Sequence, residues 1–255
     1  EGAAERYETN LLCLADRTRI KEPGPGGIAR LEETGFSGSN RMMRLWRSLT
    51  LRLPDLALRS RSRRIAVAMH RRLLLDEYAA VHISGLQMAY LNDVFWATVE
   101  AEPVRPALIF DDLNAEHVVH QRMSLVDSRR GRWLQAAYSA AQERLLRDYE
   151  AEIVGGVDTV ICPTCEDRKW LQDLDASARI EVVPSGLDTS RYVEIHPPPE
   201  RPVAVFVGDQ TYRPNRQAAD WLASEIAPAV WKTVPNAEFL VVGRGYRPSG
   251  TTNGT

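Results

Sequence analysis

Val203-Ala204-Val205-Phe206-Val207-Gly208-Asp209, Tyr212-Arg213-Pro214-Asn215, and Ala237-Glu238-Phe239-Leu240-Val241-Val242-Gly243 carry the strongest structural signal in the chain. Two apolar runs, each too short for a helix and each ended by glycine, flank a segment in which Ala219, Leu222, Ile226 and Val230 recur at spacings of three and four. That order reads as a parallel β-α-β unit with buried strands and a helix over residues 216–232. Pro228 should bend or end the helix, because it lacks the N–H that an interior position needs. Gly208 and Gly243 close the strands at their carboxyl ends, where open α/β sheets bind ligands and where glycine lets backbone approach them closely. The fold class is therefore α/β with Rossmann-like parallel sheets.

Working outward, 255 residues can hold one large domain or two ordinary ones. A composition 44% hydrophobic and 26% charged is that of a globular chain, and a net charge of -2 gives no reason to expect a polyanion partner. Charge is placed unevenly, however. Residues 41–72 carry ten arginines against the single acid Asp55, a formal +9 that leaves -11 for the remainder. Three cysteines make no disulfide framework, and no stretch reads as a signal peptide or as the roughly 20 apolar residues of a membrane span, so the cytoplasm is the expected location.

Residues 8–15 read as a buried strand and Gly24-Pro25-Gly26-Gly27 as a loop. Gly24, Gly26 and Ala29 fit the dinucleotide spacing, but polar residues separate them from the strand and Arg44 stands where the acid belongs, so the match reads as accidental. Over residues 41–53, Met42, Leu45, Trp46, Leu49 and Leu53 form a helical stripe flanked by Arg41, Arg44, Arg47 and Arg52. The favoured reading docks that stripe on the protein's own sheet; the other lays it on an anionic membrane surface, a peripheral contact through residues 41–72. Arg59-Ser60-Arg61-Ser62-Arg63-Arg64 lacks interleaved aromatics, so no nucleic acid is expected there.

Residues 79–85 form the next strand, ending at Ser84-Gly85, with His82 inside it as a hydrogen-bonded core histidine. Residues 107–111 form another and deliver Asp111-Asp112-Leu113-Asn114-Ala115-Glu116-His117 at their carboxyl edge. Such polar groups either cap the following helix, through Asp112 or Asn114, or meet a ligand. His117 and His120 read as exposed helix histidines rather than a metal pair. Residues 132–154 are a long helix with Tyr138, Ala141, Leu145, Tyr149 and Ile153 on its inner stripe, leading to a strand over 157–161. Cys162-Pro163-Thr164-Cys165 then opens a helix, a placement that suits redox thiols. Thr164 with Asp167 equally makes a capped helix start, and the structural turn is the preferred reading. A last strand, 179–184, ends in Pro184-Ser185-Gly186-Leu187-Asp188, and Pro197-Pro198-Pro199 with Pro202 makes a stiff linker between domains at 1–196 and 201–255.

Val207-Gly208, Tyr212-Arg213-Pro214-Asn215, Trp221-Leu222, Ile226-Ala227-Pro228 and the strand to Gly243 resemble the start of the second domain of GT-B glycosyltransferases of the family 4 (group 1) type. The run from Asp111 resembles that family's Asp-x-His-Asn-x-Glu segment, with Asp111 or Asp112, Asn114 and Glu116 in place and Leu113 at the histidine's position. Pro184-Ser185-Gly186-Leu187-Asp188 resembles its Pro-Asn-Gly-Val-Asp turn, with Ser185 in place of asparagine. The resemblance implies retaining transfer from a nucleotide-sugar donor to a glycan or lipid-linked acceptor, with no bound cofactor and no metal. It places Gly208, Arg213, Asn215 and Gly243 on the donor, and Ser84, Gly85, Asp111, Asn114, Glu116, Ser185 and Gly186 on the acceptor side of a cleft. It also implies that the family's first strand with its glycine loop, and its acidic donor-binding segment, lie outside this sequence, so that a truncated chain with little turnover of its own is expected. Two competing expectations are a non-catalytic remnant acting as a binding or scaffold module, and a thiol redox protein using Cys162 and Cys165.

Overall fold

The computed structural model describes residues 7–15, 28–35, 40–100, 102–191 and 201–245. The chain divides into two compact units, Glu1–Gly186 and Leu187–Thr255. The proline linker expected at 197–199 lies outside the described residues.

In the first unit, β1 (Thr9–Ala15) and β2 (Ile28–Gly35) form a parallel pair. Three helices follow, α1 (Arg41–Leu51), α2 (Asp55–Arg59) and α3 (Arg63–Leu75). Then come β3 (Ala80–Ser84), α4 (Leu91–Val99), β4 (Ala107–Asp111), α5 (Glu116–Arg129), α6 (Trp133–Gly155), β5 (Thr159–Cys162), α7 (Cys165–Gln172) and β6 (Ile180–Val182). The strands β3-β4-β5-β6 lie side by side in that order and all run parallel. Every crossover therefore carries helix, and the inner strands are covered: Leu108, Phe110, Val160 and Cys162 are wholly buried against Ile65, Phe95, Leu146 and Leu171 of the surrounding helices.

The amino edge of this sheet is fastened by matched charges. Arg105 grips Asp158 with both terminal nitrogens, at 2.6 and 2.7 Å, while the same carboxylate accepts the Leu108 N–H at 2.7 Å. The guanidinium stacks 4.5 Å from the Trp96 ring, whose N–H donates to the Gly156 carbonyl at 2.9 Å. Arg105 holds the Asp158 carboxyl below the usual range.

Several expectations are corrected here. The first strand, β1, expected to be buried, is half-exposed in its two-stranded sheet. Ile28–Gly35 is a strand, so Ala29 opens no helix and the dinucleotide spacing has no structural basis; Gly24 and Gly26 lie outside the described residues. His82 is no core residue: its side chain is 51% exposed, because β3 is outermost in the four-strand order and of its residues only Ile83 is buried. On α1 only part of the expected apolar stripe turns inward: Leu45 is half-buried and Leu53 beyond the helix packs on the core, but Met42 and Trp46 are exposed while Ser48 is buried. The first half of α6 is turned by one residue, burying Ala136, Ser139, Gln142 and Leu146 in place of Tyr138, Ala141 and Leu145. The reason is polar satisfaction. Gln142 accepts the Asp55 N–H at 2.7 Å and donates to Ser48 Oγ at 3.2 Å, and Ser48 donates to the Leu53 carbonyl at 2.6 Å.

In the second unit, β7 (Val203–Val207) and β8 (Glu238–Val242) pair in parallel, Val203 opposite Glu238 and Val207 opposite Val242. Between them run α8 (Arg213–Trp221) and α9 (Ala227–Trp231), joined by a π-helical turn over Leu222–Ile226. Pro228 sits in the first turn of α9, and the Ala227 N–H reaches back five residues to the Leu222 carbonyl. The proline thus reshapes the helix rather than stopping it. The strands are not buried on both sides as their composition suggests. Val205, Val207, Leu240 and Val242 share one exposed face, since the helices cover only the other, where Trp231 meets Phe239 edge to face.

Among the described residues no helix is long and apolar enough to cross a membrane. If Gln142 ties α6 to α1 and α2, Gln142→Ala strands a buried N–H and should cost about 1–3 kcal/mol in urea unfolding; a loss under about 0.5 kcal/mol, the level of a surface change, would show that the tie carries little.

Candidate functional site

The carboxyl edge of the four-stranded sheet differs from its amino edge in gathering several acids, one of which, Asp112, has a side-chain oxygen without a hydrogen-bond partner among the described residues. β4 ends at Asp111, and the next residue, Asp112, is anchored by its N–H to the Ile161 carbonyl at 2.8 Å. Asp112 is 1% exposed, and its Oδ2 has no hydrogen-bond partner. Burial raises its pKa well above the ordinary carboxyl value, and the neighbouring Glu150, Glu116 and Asp167 push it further, against the Asn114 backbone N–H that bonds the carboxylate.

The start of α5 is capped from a distance. Its N-cap, Ala115, has no side-chain bond to give, and neither Asp112 nor Asn114 performs the capping expected of them. Glu150 does so from α6, accepting the Glu116 N–H at 2.6 Å and the His117 N–H at 3.3 Å. The same carboxylate holds His117 Nδ1. His117 is therefore buried, correcting the expectation of an exposed helix histidine, and His120 is half-buried. Asp167 adds a contact to the Ala115 N–H at 3.4 Å. Glu116 itself is half-buried, and burial with Glu150 beside it raises its pKa, Arg59 opposing. Among the described residues no group of three or more metal-ligating side chains is placed to hold an ion.

At the end of β3, Ser84 Oγ donates to Asp111 Oδ2 at 3.1 Å and His82 Nε2 lies 3.6 Å from that oxygen. The Gly85 N–H bonds the Asp111 carbonyl at 2.9 Å, with Gly85 at φ +81°. The serine faces the carboxylate rather than the imidazole, so this is no nucleophile and base pair. It is a half-buried acceptor between a hydroxyl and a ring nitrogen, an arrangement suited to binding hydroxyl groups. Asn114 is exposed close by in sequence, whereas Ser185 and Gly186 follow β6 on the surface, with no described hydrogen bond to the others.

Cys162, at the end of β5, is buried and donates weakly to the Thr164 and Glu181 carbonyls. Burial, then Asp167 and Asp112, pushes its thiol up to about 11, opposite to the lowering that redox thiols use. Thr164 caps α7 by accepting the Asp167 N–H at 3.0 Å, so the turn is structural in its bonding.

In the second unit the strand-end glycines meet. Gly243 has φ +148°, and a Cβ there would lie 1.8 Å from the Gly208 carbonyl oxygen, so only glycine fits. Asn215 packs on Gly208 and donates to the Asp209 carbonyl at 3.0 Å. Asp209 accepts from Thr211 and pairs with Arg244, which together hold its pKa down to about 2. Arg213 opens α8 half-buried; with the Gln217 amide oriented to satisfy both its ends, its oxygen accepts from Arg213 Nε at 3.1 Å. Gly208, Asn215 and Gly243 are thus brought together, with Arg213 at the adjoining helix start.

Sequence reasoning missed Glu150 and Gln210. Glu150 had a signal: it falls four residues after Leu146 and three before Ile153, a charge on the buried stripe. Gln210 is buried, bonds the Gly208 carbonyl at 2.9 Å and leaves its Oε1 without a partner, which a loop position beside glycine does not announce.

Compared with known proteins, the sequence matches no family model and no curated protein.

Because its folded pKa is raised, Asp112 contributes stability fully below its unfolded value near 3.8 and loses that contribution as pH rises through the folded value. Asp112→Asn, which cannot ionise, should gain stability relative to the parent as pH goes from acid to alkaline; a difference independent of pH in urea titrations would refute this. Gly243→Ala should destabilise the second unit by about 3 kcal/mol, since the contact is with backbone that cannot step aside, and unfolding followed by Trp231 or Trp221 fluorescence would register it.

Proposed function

We propose that this protein is a glycosyltransferase of the retaining GT-B type, Glu1–Gly186 serving a glycan or lipid-linked acceptor and Leu187–Thr255 the nucleotide-sugar donor. The observation that carries the reading is the polar set at the carboxyl edge of β3 and β4, where Ser84 and His82 of β3 lie bonded or adjacent to Asp111, the first residue of the segment that resembles the family's acceptor-side motif. A carboxylate that keeps part of its surface open at that edge can orient a sugar hydroxyl by accepting a hydrogen bond from it. Leu113, at the family histidine's position, is exposed, while His117 turns inward on Glu150.

On the donor side the need is to stabilise a departing diphosphate. Backbone N–H groups at the start of α8, which has no side-chain cap, and the Arg213 charge supply positive potential there without a metal. No side chain is assigned as catalytic base.

A non-catalytic binding module is the second reading. It is favoured by the donor-side polar groups already satisfying one another, Arg244 on Asp209 and Asn215 on the Asp209 carbonyl.

Titration of uridine-, guanosine- and adenosine-diphosphate sugars into the isotopically labelled chain distinguishes the two. The transferase reading expects amide shifts at Gly208, Asn215 and Gly243 with roughly millimolar affinity, about 4 kcal/mol. Arg213→Ala should weaken that binding about tenfold, near 1.4 kcal/mol, while Asn114→Ala should leave it unchanged. No shifts with any donor, or equal loss in the two variants, would overturn the assignment.

A further inference from the structure

Helix α1 carries much of its apolar surface outward. A helix laid on a core turns its apolar stripe inward, yet two of the inward positions of α1 are polar: Arg44 donates to Asp55 at 2.9 Å, and Ser48 is buried in hydrogen bonds to Leu53 and Gln142. Several of its outward residues are large and apolar. Met42 is 78% exposed, Trp46 63% and Met43 54%. These three lie within one turn of each other, so the exposed apolar surface is contiguous along the helix, and such patches on folded proteins mark contact sites. Arg47 and Arg52, both exposed, stand beside them.

Charge selects the occupant. The one acid among residues 41–72, Asp55, is buried, and its two oxygens are held by Arg44 and Arg59 at 2.9 Å each. What this stretch shows to its surroundings is therefore cationic. A second copy of the chain would bring two such surfaces face to face, at an electrostatic cost. An anionic lipid surface answers both features: its acyl boundary takes methionine and tryptophan, and its headgroups take arginine, whose stem can lie along the apolar layer while the guanidinium stays among phosphates.

We propose that α1 is an interfacial helix that docks the first unit on anionic lipid, Met42, Met43 and Trp46 entering the headgroup boundary and Arg47 and Arg52 pairing with the phosphates. The inference does not depend on the transferase reading, because its test reads lipid binding and not donor binding or turnover.

The test is co-sedimentation of the full chain with phosphatidylcholine vesicles, with and without phosphatidylglycerol. Binding is expected only to vesicles containing phosphatidylglycerol, and it should fall about tenfold or more when salt is raised to 1 M, where the screening length drops to about 3 Å. Arg47→Gln with Arg52→Gln should weaken it by about fivefold per arginine. Met42→Ser with Trp46→Ser should abolish it without lowering the thermal midpoint, as both residues are exposed, and Trp46→Phe should remove the blue shift in tryptophan emission on binding. Equal binding to both kinds of vesicle, no binding at low salt, or unchanged binding by the Met42 and Trp46 variant would overturn the proposal. So would self-association in sedimentation velocity without lipid that the same variant abolishes, which would assign the face to a second copy.

Discussion

Glu150 is a carboxylate with no exposed surface, and the arrangement of the first unit's upper edge depends on what it bonds. Helix α5 begins where β4 ends, and its first N–H groups have no local cap. Left unsatisfied in a buried place, they would cost on the order of 1–3 kcal/mol each. Glu150, reaching from α6, accepts two of them and orients His117 with the same two oxygens. The α5 N–H groups and the imidazole together satisfy the buried carboxyl group there. Helices α5 and α6 pack along one another through the turn at Gly131, and the Glu150 contact ties the start of α5 to the far half of α6.

A second consequence is electrostatic. With Glu150 placed at the α5 start, Asp112, Glu116 and Asp167 are drawn into one neighbourhood of like charge, and the pKa values of Asp112 and Glu116 rise. Nothing comparable occurs at the opposite edge, where Arg105 and Asp158 neutralise each other and stack on Trp96. The sheet is thus held together at its amino edge and carries its electrostatic tension at its carboxyl edge. Tension of that kind lowers stability and persists where a site needs it.

The second unit solves a different problem with the same geometry. Its two parallel strands end in glycines whose backbones touch, and the loops around them are closed by Asp209, Arg244, Asn215 and Gln210. Close-packed loops of this sort satisfy their own backbone groups, the Gly208 N–H on the Val242 carbonyl and the Gln210 N–H on the Arg244 carbonyl, at the cost of admitting no side chain at Gly243.

From the sequence by itself came the parallel β-α-β unit, the strands from Ala80 to Val182 and the helices between them, because apolar runs ended by glycine or aspartate and three-to-four spacing are local signals. The Ser84, Asp111, Gly208 and Gly243 positions were legible for the same reason: strand ends fix them. Tertiary structure alone decided which side of a helix faces in. Periodicity marks a stripe on α1 and on α6 but not its partner, and buried hydrogen bonds from Gln142 to Asp55 and Ser48, across 87 and 94 residues, turned both helices toward polar contacts. His82 was exposed by its place in the strand order, and His117 was buried by a glutamate 33 residues away. Burial of a polar group is settled by whichever partners the fold brings within bonding distance, and those partners are distant in the chain.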